Sequence, residues 1–519
     1  MNRRSFMKSC LIVVSAVAAG QTFTEYKAIA SAAEAKQLTK PNIVFFLVDD
    51  MGWQDTSVPF HTEETALNDR YRTPNMERLA KQGVKFTQAY ACALCSPTRI
   101  SLMTGMNAMR HRVTNWTLHK NRSPDRNSNL IQPPEWNVNG MCMEPGVERT
   151  LLAKETLPGL LSKAGYKAIH VGKGHFGAHT TPGANPLNLG FDVNIAGQAG
   201  GGPGSYYGKS NFATTSPKWR ICSLPGLEEY HGKDIYLNEV LTIKANKKVE
   251  KAVAAKKPFY LYMSHYAVHA PWQEDPRFVE KYEKAGLKGR SAVYASMIES
   301  MDKSLGDIMD NLKRLGVEDN TIIVFMSDNG VVSAMPRNIP LRGHKLTTYE
   351  GGIRVPMIVK WPGITEKSTV CNGYVIIEDV FPTFLEMAGV KIPGNIASTV
   401  DGVSFVPLLT KEGDYPADRT LFWHYPHTYN GRAYSSVRKG DWKLIYFHVK
   451  GEFELFNLRE DISEKNNLAK SIPDKMQELA KELSNYIVKV KAQMPIDKRT
   501  GKPFKLPIEL LNEKRTTSG

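Results

Sequence analysis

The chain has 519 residues, 42% apolar and 23% charged, ordinary globular usage that excludes wholesale disorder, a collagen repeat or a coiled coil. Lysine and arginine number 67 against 52 aspartates and glutamates, a balance of +15 that attracts polyanions; without an RNA-binding signature or a zinc finger, nucleic acid is disfavoured as a partner. The apolar run of residues 11–14 with its small-residue continuation to Gly20 is shorter than the ~20 residues of a membrane span.

Arg3-Arg4-Ser5-Phe6-Met7-Lys8, the short apolar stretch behind it and the small residues at 28–32 predict an export signal over residues 1–32. The arginine pair fits a twin-arginine signal or an ordinary secretory one, and either gives a periplasmic or extracellular bacterial protein. Cys10 leaves with this segment. The five remaining cysteines are too sparse for a disulfide scaffold, and pairing among Cys142, Cys222 and Cys371 stays open.

Residues 42–48 form a continuous apolar run ended by Asp49-Asp50, the pattern of a strand buried on both faces. Thr73-Pro74 opens a helix and Gly83 closes it. In Cys95-Ser96-Pro97-Thr98-Arg99, Pro97 starts a helix whose positive end lies at Cys95, with Arg99 one turn on. That is the geometry of an activated nucleophile, and a buried structural cysteine is the plainer alternative. A helix over 156–164 leads to a strand over 168–171, which ends in Gly172-Lys173-Gly174-His175. The glycine-rich stretch 197–208 is expected to be a surface loop, not a phosphate-binding one, because no buried strand precedes it. Residues 259–263 predict a buried strand followed by His265 and His269. Apolar residues from Val293 to Leu315, three and four apart, predict a long amphipathic helix capped by Gly316. The buried strand over 321–326 ends in Ser327-Asp328-Asn329-Gly330.

This alternation predicts an α/β fold with a large, mostly parallel or mixed sheet sandwiched by helices. Strands over 434–437, 442–447 and 454–458 and a helix over 476–490 predict a small C-terminal α+β domain with an antiparallel sheet. The expected division is 40–414 for the α/β domain and 415–519 for the smaller one. Polar groups at the ends of parallel strands converge on one sheet edge. Asp49, Asp50, Asp328 and Asn329 offer four oxygen donors there, which suits a hard cation, Ca²⁺ or Mg²⁺, better than zinc.

Cys95-x-Pro97-x-Arg99 followed by Leu102-x-Thr104-Gly105 resembles the signature of the formylglycine-dependent (type I) sulfatases of the alkaline phosphatase superfamily. The resemblance continues through Asp49-Asp50-Met51-Gly52, Gly172-Lys173-Gly174-His175, His269-Ala270-Pro271, Ser327-Asp328-Asn329-Gly330 and the stretch from Leu341 to Pro356. Arg438-Lys439-Gly440-Asp441-Trp442-Lys443-Leu444 and Glu454-Leu455-Phe456-Asn457-Leu458 look like the family's small terminal domain. The resemblance implies that Cys95 is converted to Cα-formylglycine by a maturing enzyme and hydrates to a diol. One hydroxyl, held by the metal, attacks sulfur, and the Ca²⁺ (favoured over Mg²⁺) has Asp49, Asp50, Asp328, Asn329 and the modified Cys95 as its ligands. Lys173, Lys345 and His269 would neutralise the sulfate oxygens, and Arg99 would hold the hydrated aldehyde. His269, with Lys345 as second candidate, would protonate the departing sugar oxygen, and His175 would take the proton whose loss expels sulfate.

The family often has Trp between Lys173 and His175, where this chain has Gly174, and glycines beside Lys345, where it has His344 and Leu346; both affect pocket shape. Candidate sugar-binding residues are Arg112, Asn115, Trp116 and His119 after the signature helix, and His424, His427 and Arg432 in the terminal domain. The run around Gly105 to Trp116 resembles bacterial carbohydrate sulfatases, including ones acting on galactose or N-acetylgalactosamine 4-sulfate, so an exo-acting enzyme on a sulfated glycan is expected. The rival readings are a phosphonate or phosphate monoester hydrolase of the same superfamily and a catalytically silent glycan-binding protein.

Overall fold

The computed structural model describes residues 40–333 and 338–516. The export signal expected over 1–32 lies outside them. In chain order the framing elements are β1 (Asn42–Val48), α1 (Pro74–Gln82), β2 (Val84–Tyr90), α2 (Cys95–Thr104), α3 (Leu157–Lys163), β3 (Lys167–Gly172), β4 (Val193–Ile195), α4 (Leu237–Ala254), β5 (Phe259–Ser264), α5 (Arg290–Arg314), β6 (Thr321–Ser327), β7 (Arg354–Lys360) and β8 (Thr369–Cys371).

The strands form one sheet in the order β8-β2-β7-β6-β1-β5-β3-β4, with the short strand Val375–Ile376 added beside β2. β1 lies in the middle, parallel to both neighbours: Phe45 is level with Tyr262 of β5 and Val324 of β6. β7 runs antiparallel to β6 and β2, so the sheet is mixed. All seven residues of β1 are buried because helices cover both faces. Successive side chains of a strand point to opposite faces. Ile43, Phe45 and Leu47 accordingly pack with Ile100, Leu102, Leu157 and Leu161, whereas Val44, Phe46 and Val48 pack with Met76, Val240, Met297 and Leu305.

The later part of the chain adds an antiparallel meander of β9 (Thr420–Tyr425), β10 (Tyr434–Lys439), β11 (Trp442–Phe447) and β12 (Glu452–Asn457). α6 (Pro473–Lys489) covers one face, where Leu479, Leu483 and Ile487 meet Val437, Leu444 and Leu455. From the other face Ile445, Phe447 and Phe456 join the apolar cluster that includes β1. At this junction Lys443 of β11 is fully buried, with its Nζ 2.9 Å from both Glu350 and Glu464, which are equally buried. The Tyr90 hydroxyl donates to the second oxygen of Glu350 at 2.6 Å.

The expected helices and strands recur with ends shifted by a few residues, among them α1 behind Thr73 and α5 before Gly316. Three elements escape the sequence pattern. β7 carries Pro356, which has no N–H to give a ladder, and the pairing with β2 shifts between Val355 and Met357 to accommodate it. β2 alternates only in part, and α4 carries four lysines over a weak apolar seam. Gly83 ends α1 in extended backbone; its role is space, since a Cβ there would lie 2.2 Å from the Val359 carbonyl oxygen. Cys142, Cys222 and Cys371, left open for pairing, are free thiols, as are Cys92 and Cys95.

Candidate active site

Four strand ends meet at one edge of the sheet. β1 ends in Asp49 and Asp50, β6 in Asp328 and Asn329, β3 leads into Lys173 and His175, and β5 ends in Ser264, five residues before His269. Cys95 is the first residue of α2, whose N-terminus faces this edge. The free N–H groups and dipole of that terminus favour negative charge beside the Cys95 side chain. The Cys95 sulfur and one carboxylate oxygen each of Asp49 and Asp328 lie within 4.8 Å of one another.

Three buried acids face three bases. Lys173 Nζ donates to Asp49 Oδ2 at 2.5 Å, and Lys345 Nζ to Asp50 Oδ1 at 2.6 Å. Arg99 grips Asp328 Oδ2 through Nε at 3.0 Å and Nη2 at 2.7 Å. Its remaining nitrogen, Nη1, donates to the Ser264 hydroxyl, the Tyr262 hydroxyl and the Lys173 carbonyl. Arg99 therefore holds strand ends together as well as lying one turn behind Cys95. Asn329 Nδ2 donates to Asp50 Oδ1 at 2.7 Å. Burial opposes ionisation of Cys95, but Lys173 and Lys345 outweigh it and bring the thiol below its ordinary value.

The donor set fits a hard cation. Among the described residues, Asp49 Oδ1, Asp50 Oδ2 and Asn329 Oδ1 are buried oxygens that find no hydrogen-bond partner. Buried polar atoms are normally paired, so three such oxygens at the ends of neighbouring strands are donors that an oxygen-liganded ion would satisfy. Burial, and after it Asp328, pushes Asp49 well above the usual carboxylate range, a charge crowding that a cation relieves.

The histidines present defined tautomers. A carbonyl oxygen only accepts, so a ring nitrogen bonded to one carries the proton. His175 Nε2 donates to the Thr117 carbonyl at 2.8 Å, which leaves Nδ1 a buried lone pair without a partner among the described residues. His269 Nδ1 donates to the Ala270 carbonyl at 2.7 Å, which leaves its Nε2 lone pair 3.8 Å from Asp50 Oδ2. Burial pushes His269 down to about 4, against the pull of Asp50. The site opens to solvent at these outer groups: the His269 side chain is 27% exposed and Lys345 12%, whereas Asp49, Lys173, Arg99 and Asp328 are at 0%.

The glycine-rich stretch is a correction. Residues 197–208 are not a surface loop; most are buried, and Gln198, Gly201 and Gly202 lie against His175 and His269. Glycine serves there for close approach, which composition alone does not distinguish from a flexible surface turn. The same contact accounts for Gly174, where a Cβ would lie 2.9 Å from the Gln198 carbonyl oxygen.

The sugar-binding candidates divide. Thr117 borders the site: it receives His175 through its carbonyl and donates its N–H to Ser96 Oγ at 3.2 Å. Asn115 is buried and Trp116 half-buried, edge-on to Tyr429 with ring centroids 5.3 Å apart. His119 is half-buried and pairs its backbone with His179. The others already have protein partners. Arg112 donates to the Lys491 carbonyl, and His424 bonds Ser435 and the Gln493 carbonyl. His427 bridges Thr114 and Asp125, and Arg432 pairs with Glu452 over the Phe447 ring. Sequence reasoning did not find Thr117, Tyr262 or Ser264, which contact site residues; only Ser264, closing the run 259–263, left a signal.

Residues 41–390 match the family described as Sulfatase, and residues 344–493 the family described as N-sulphoglucosamine sulphohydrolase, C-terminal. The chain is 28% identical over 497 residues to a sulfatase of Formosa agariphila, covering 86% of this chain and 88% of that one. It is 31% identical over 443 residues to the N-acetylgalactosamine-6-sulfatase of Mus musculus, covering 83% of this chain and 76% of the relative. The crystal structure of Ps i-CgsB, also solved in complex with k-i-k-neocarrahexaose, superposes with a TM-score of 0.69 at 28% identity over 86% of this chain and 92% of the other. Fold and matches define a hydrolase of sulfuric esters. The chain belongs to the sulfatase family.

Proposed function

We propose that this enzyme removes sulfate from a glycan-derived sugar in the periplasm or outside the cell, with the nucleophile supplied at Cys95 and Ca²⁺ held by Asp49, Asp50, Asp328 and Asn329. The observation that carries the reading is Cys95 at the N-terminus of α2, within 4.8 Å of two strand-end carboxylates. Oxidation of Cys95 to formylglycine by a maturing enzyme supplies, once hydrated, the attacking oxygen, and the cation supplies charge against the sulfate oxygens.

The chain's own groups do the rest. Lys173 and Lys345 place fixed positive charge at the site, where buried, preorganised donors stabilise charge more than water does. The His175 Nδ1 lone pair is free to accept a proton from the nucleophile residue. Lys345 carries a proton to offer the departing oxygen, whereas His269 must first gain one on Nε2. Arg99 fixes Asp328 and the end of β5. Trp116 with Tyr429 forms an aromatic rim beside Thr117, of the kind that binds sugar rings.

The relatives' names point to a galacto-configured sugar. The mouse relative is an N-acetylgalactosamine-6-sulfatase, and Ps i-CgsB has been solved with a neocarrahexaose. The test is sulfate release from galactose and N-acetylgalactosamine 4- and 6-sulfates beside phosphate release from the matching phosphate esters, with and without chelator. The expected result is preference for a sulfated sugar, loss on chelation and recovery with Ca²⁺. Faster turnover of the phosphate esters would favour the phosphatase reading, and no turnover of any ester with retained sugar binding the silent one.

A further inference from the structure

Residues 197–204 contain five glycines, and none of them has a positive φ. Their backbone is one that other residues adopt, so conformational freedom does not account for them. Space does. A Cβ built on Gly201 falls 2.8 Å from Cε1 of His175 and 3.1 and 3.2 Å from its two nitrogens, so the glycine lies flat on the imidazole face. A Cβ on Gly202 falls 2.8 Å from both His269 Nδ1 and the Ala270 oxygen that this nitrogen bonds. Gln198 accepts the backbone N–H of His175 at 2.9 Å.

We propose that Gly201 and Gly202 form a strap that positions both imidazoles, with Gly201 fixing the ring plane of His175 and Gly202 that of His269. His175 is then held along one edge by the Thr117 carbonyl and on one face by Gly201, and its free Nδ1 can point only one way. Both glycines are positioning residues that act through the histidines. A displacement of about 1 Å at a reacting group costs on the order of 10²-fold in rate.

The inference rests on the sulfatase reading of the site. The test is a double-mutant cycle on sulfate-ester hydrolysis, comparing Gly201→Ala in the wild-type and His175→Ala backgrounds, with Gly200→Ala as control. A Cβ on Gly200 comes no nearer than 3.2 Å to the Gln198 side chain and touches neither histidine. Gly201→Ala is expected to lower kcat by about 10–100-fold with KM little changed. The same substitution is expected to cost nothing further once His175→Ala has removed the ring it meets. If Gly201→Ala alone fails to fold, folding of the double variant supports the contact and its failure overturns it. Equal losses in both backgrounds, or an equal loss in Gly200→Ala, would show that the strap serves only the fold. A wild type inert on every sulfate ester would instead refute the sulfatase reading, so the two failures are distinct.

Discussion

Cys95→Ala lowers kcat on a sulfated sugar by about 10⁴–10⁶-fold, the cost of removing a nucleophile on which the other groups act as a unit. The fold is expected to survive. Cys95 is the first residue of α2, 3% exposed, and alanine keeps its backbone and Cβ. The loss is expected on kcat because Lys173, Lys345 and His269, the groups proposed to neutralise the sulfate oxygens, stay in place. Retained binding of the sulfated sugar, followed by calorimetry on the variant, separates loss of chemistry from loss of the site. A variant with wild-type turnover would remove Cys95 from the mechanism.

Lys443→Met destabilises the protein by about 3–5 kcal/mol, the range for breaking a buried ion pair and leaving charge behind. Lys443 lies between Glu350 and Glu464 at 0% side-chain exposure, with no solvent to take over its role. Glu464 is pushed up to about 7, first by burial and despite Lys443; with the lysine gone, the Glu350 backbone N–H that donates to Glu464 is left to oppose burial and the Glu350 charge. The cost comes from the stranded carboxylates, so adding Glu464→Gln is expected to restore part of the stability. Denaturant midpoints of the single and double variants measure this. A single variant as stable as wild type would mean that the cluster contributes nothing net to the junction between the two sheets.

The fold was legible where one physical signal dominates. The unbroken apolar runs of β1 and β6 reveal strands buried on both faces, and the polar residues after them mark the sheet edge where the site lies. The apolar spacing of α5 and the Pro-and-Gly punctuation of α1 work in the same way. Where two requirements compete, the signal is lost: β7 keeps Pro356 at the cost of a register shift, and α4 pairs a thin apolar seam with a lysine-rich outer face.

The side chains gathered at the sheet edge were legible because most sit in a motif at a strand or helix end, as Asp49, Asp50, Asp328, Asn329 and Cys95 do. Contacts made through backbone carbonyls were not, since the carbonyls of Thr117 and Ala270 that set the histidine tautomers carry no residue signature. The glycine-rich stretch misled for a related reason. The absence of a side chain signals a flexible turn and a tight approach equally, and only the position of the imidazoles tells them apart.

The central claim, that the nucleophile arises at Cys95, is tested most directly by mass spectrometry of the tryptic peptide spanning residues 86–99, from enzyme active on sulfate esters and made alongside a sulfatase-maturing enzyme. The account predicts the mass decrease of a thiol converted to an aldehyde, localised by fragmentation to Cys95 and not to Cys92. Fully active protein with an intact thiol at Cys95 would contradict it.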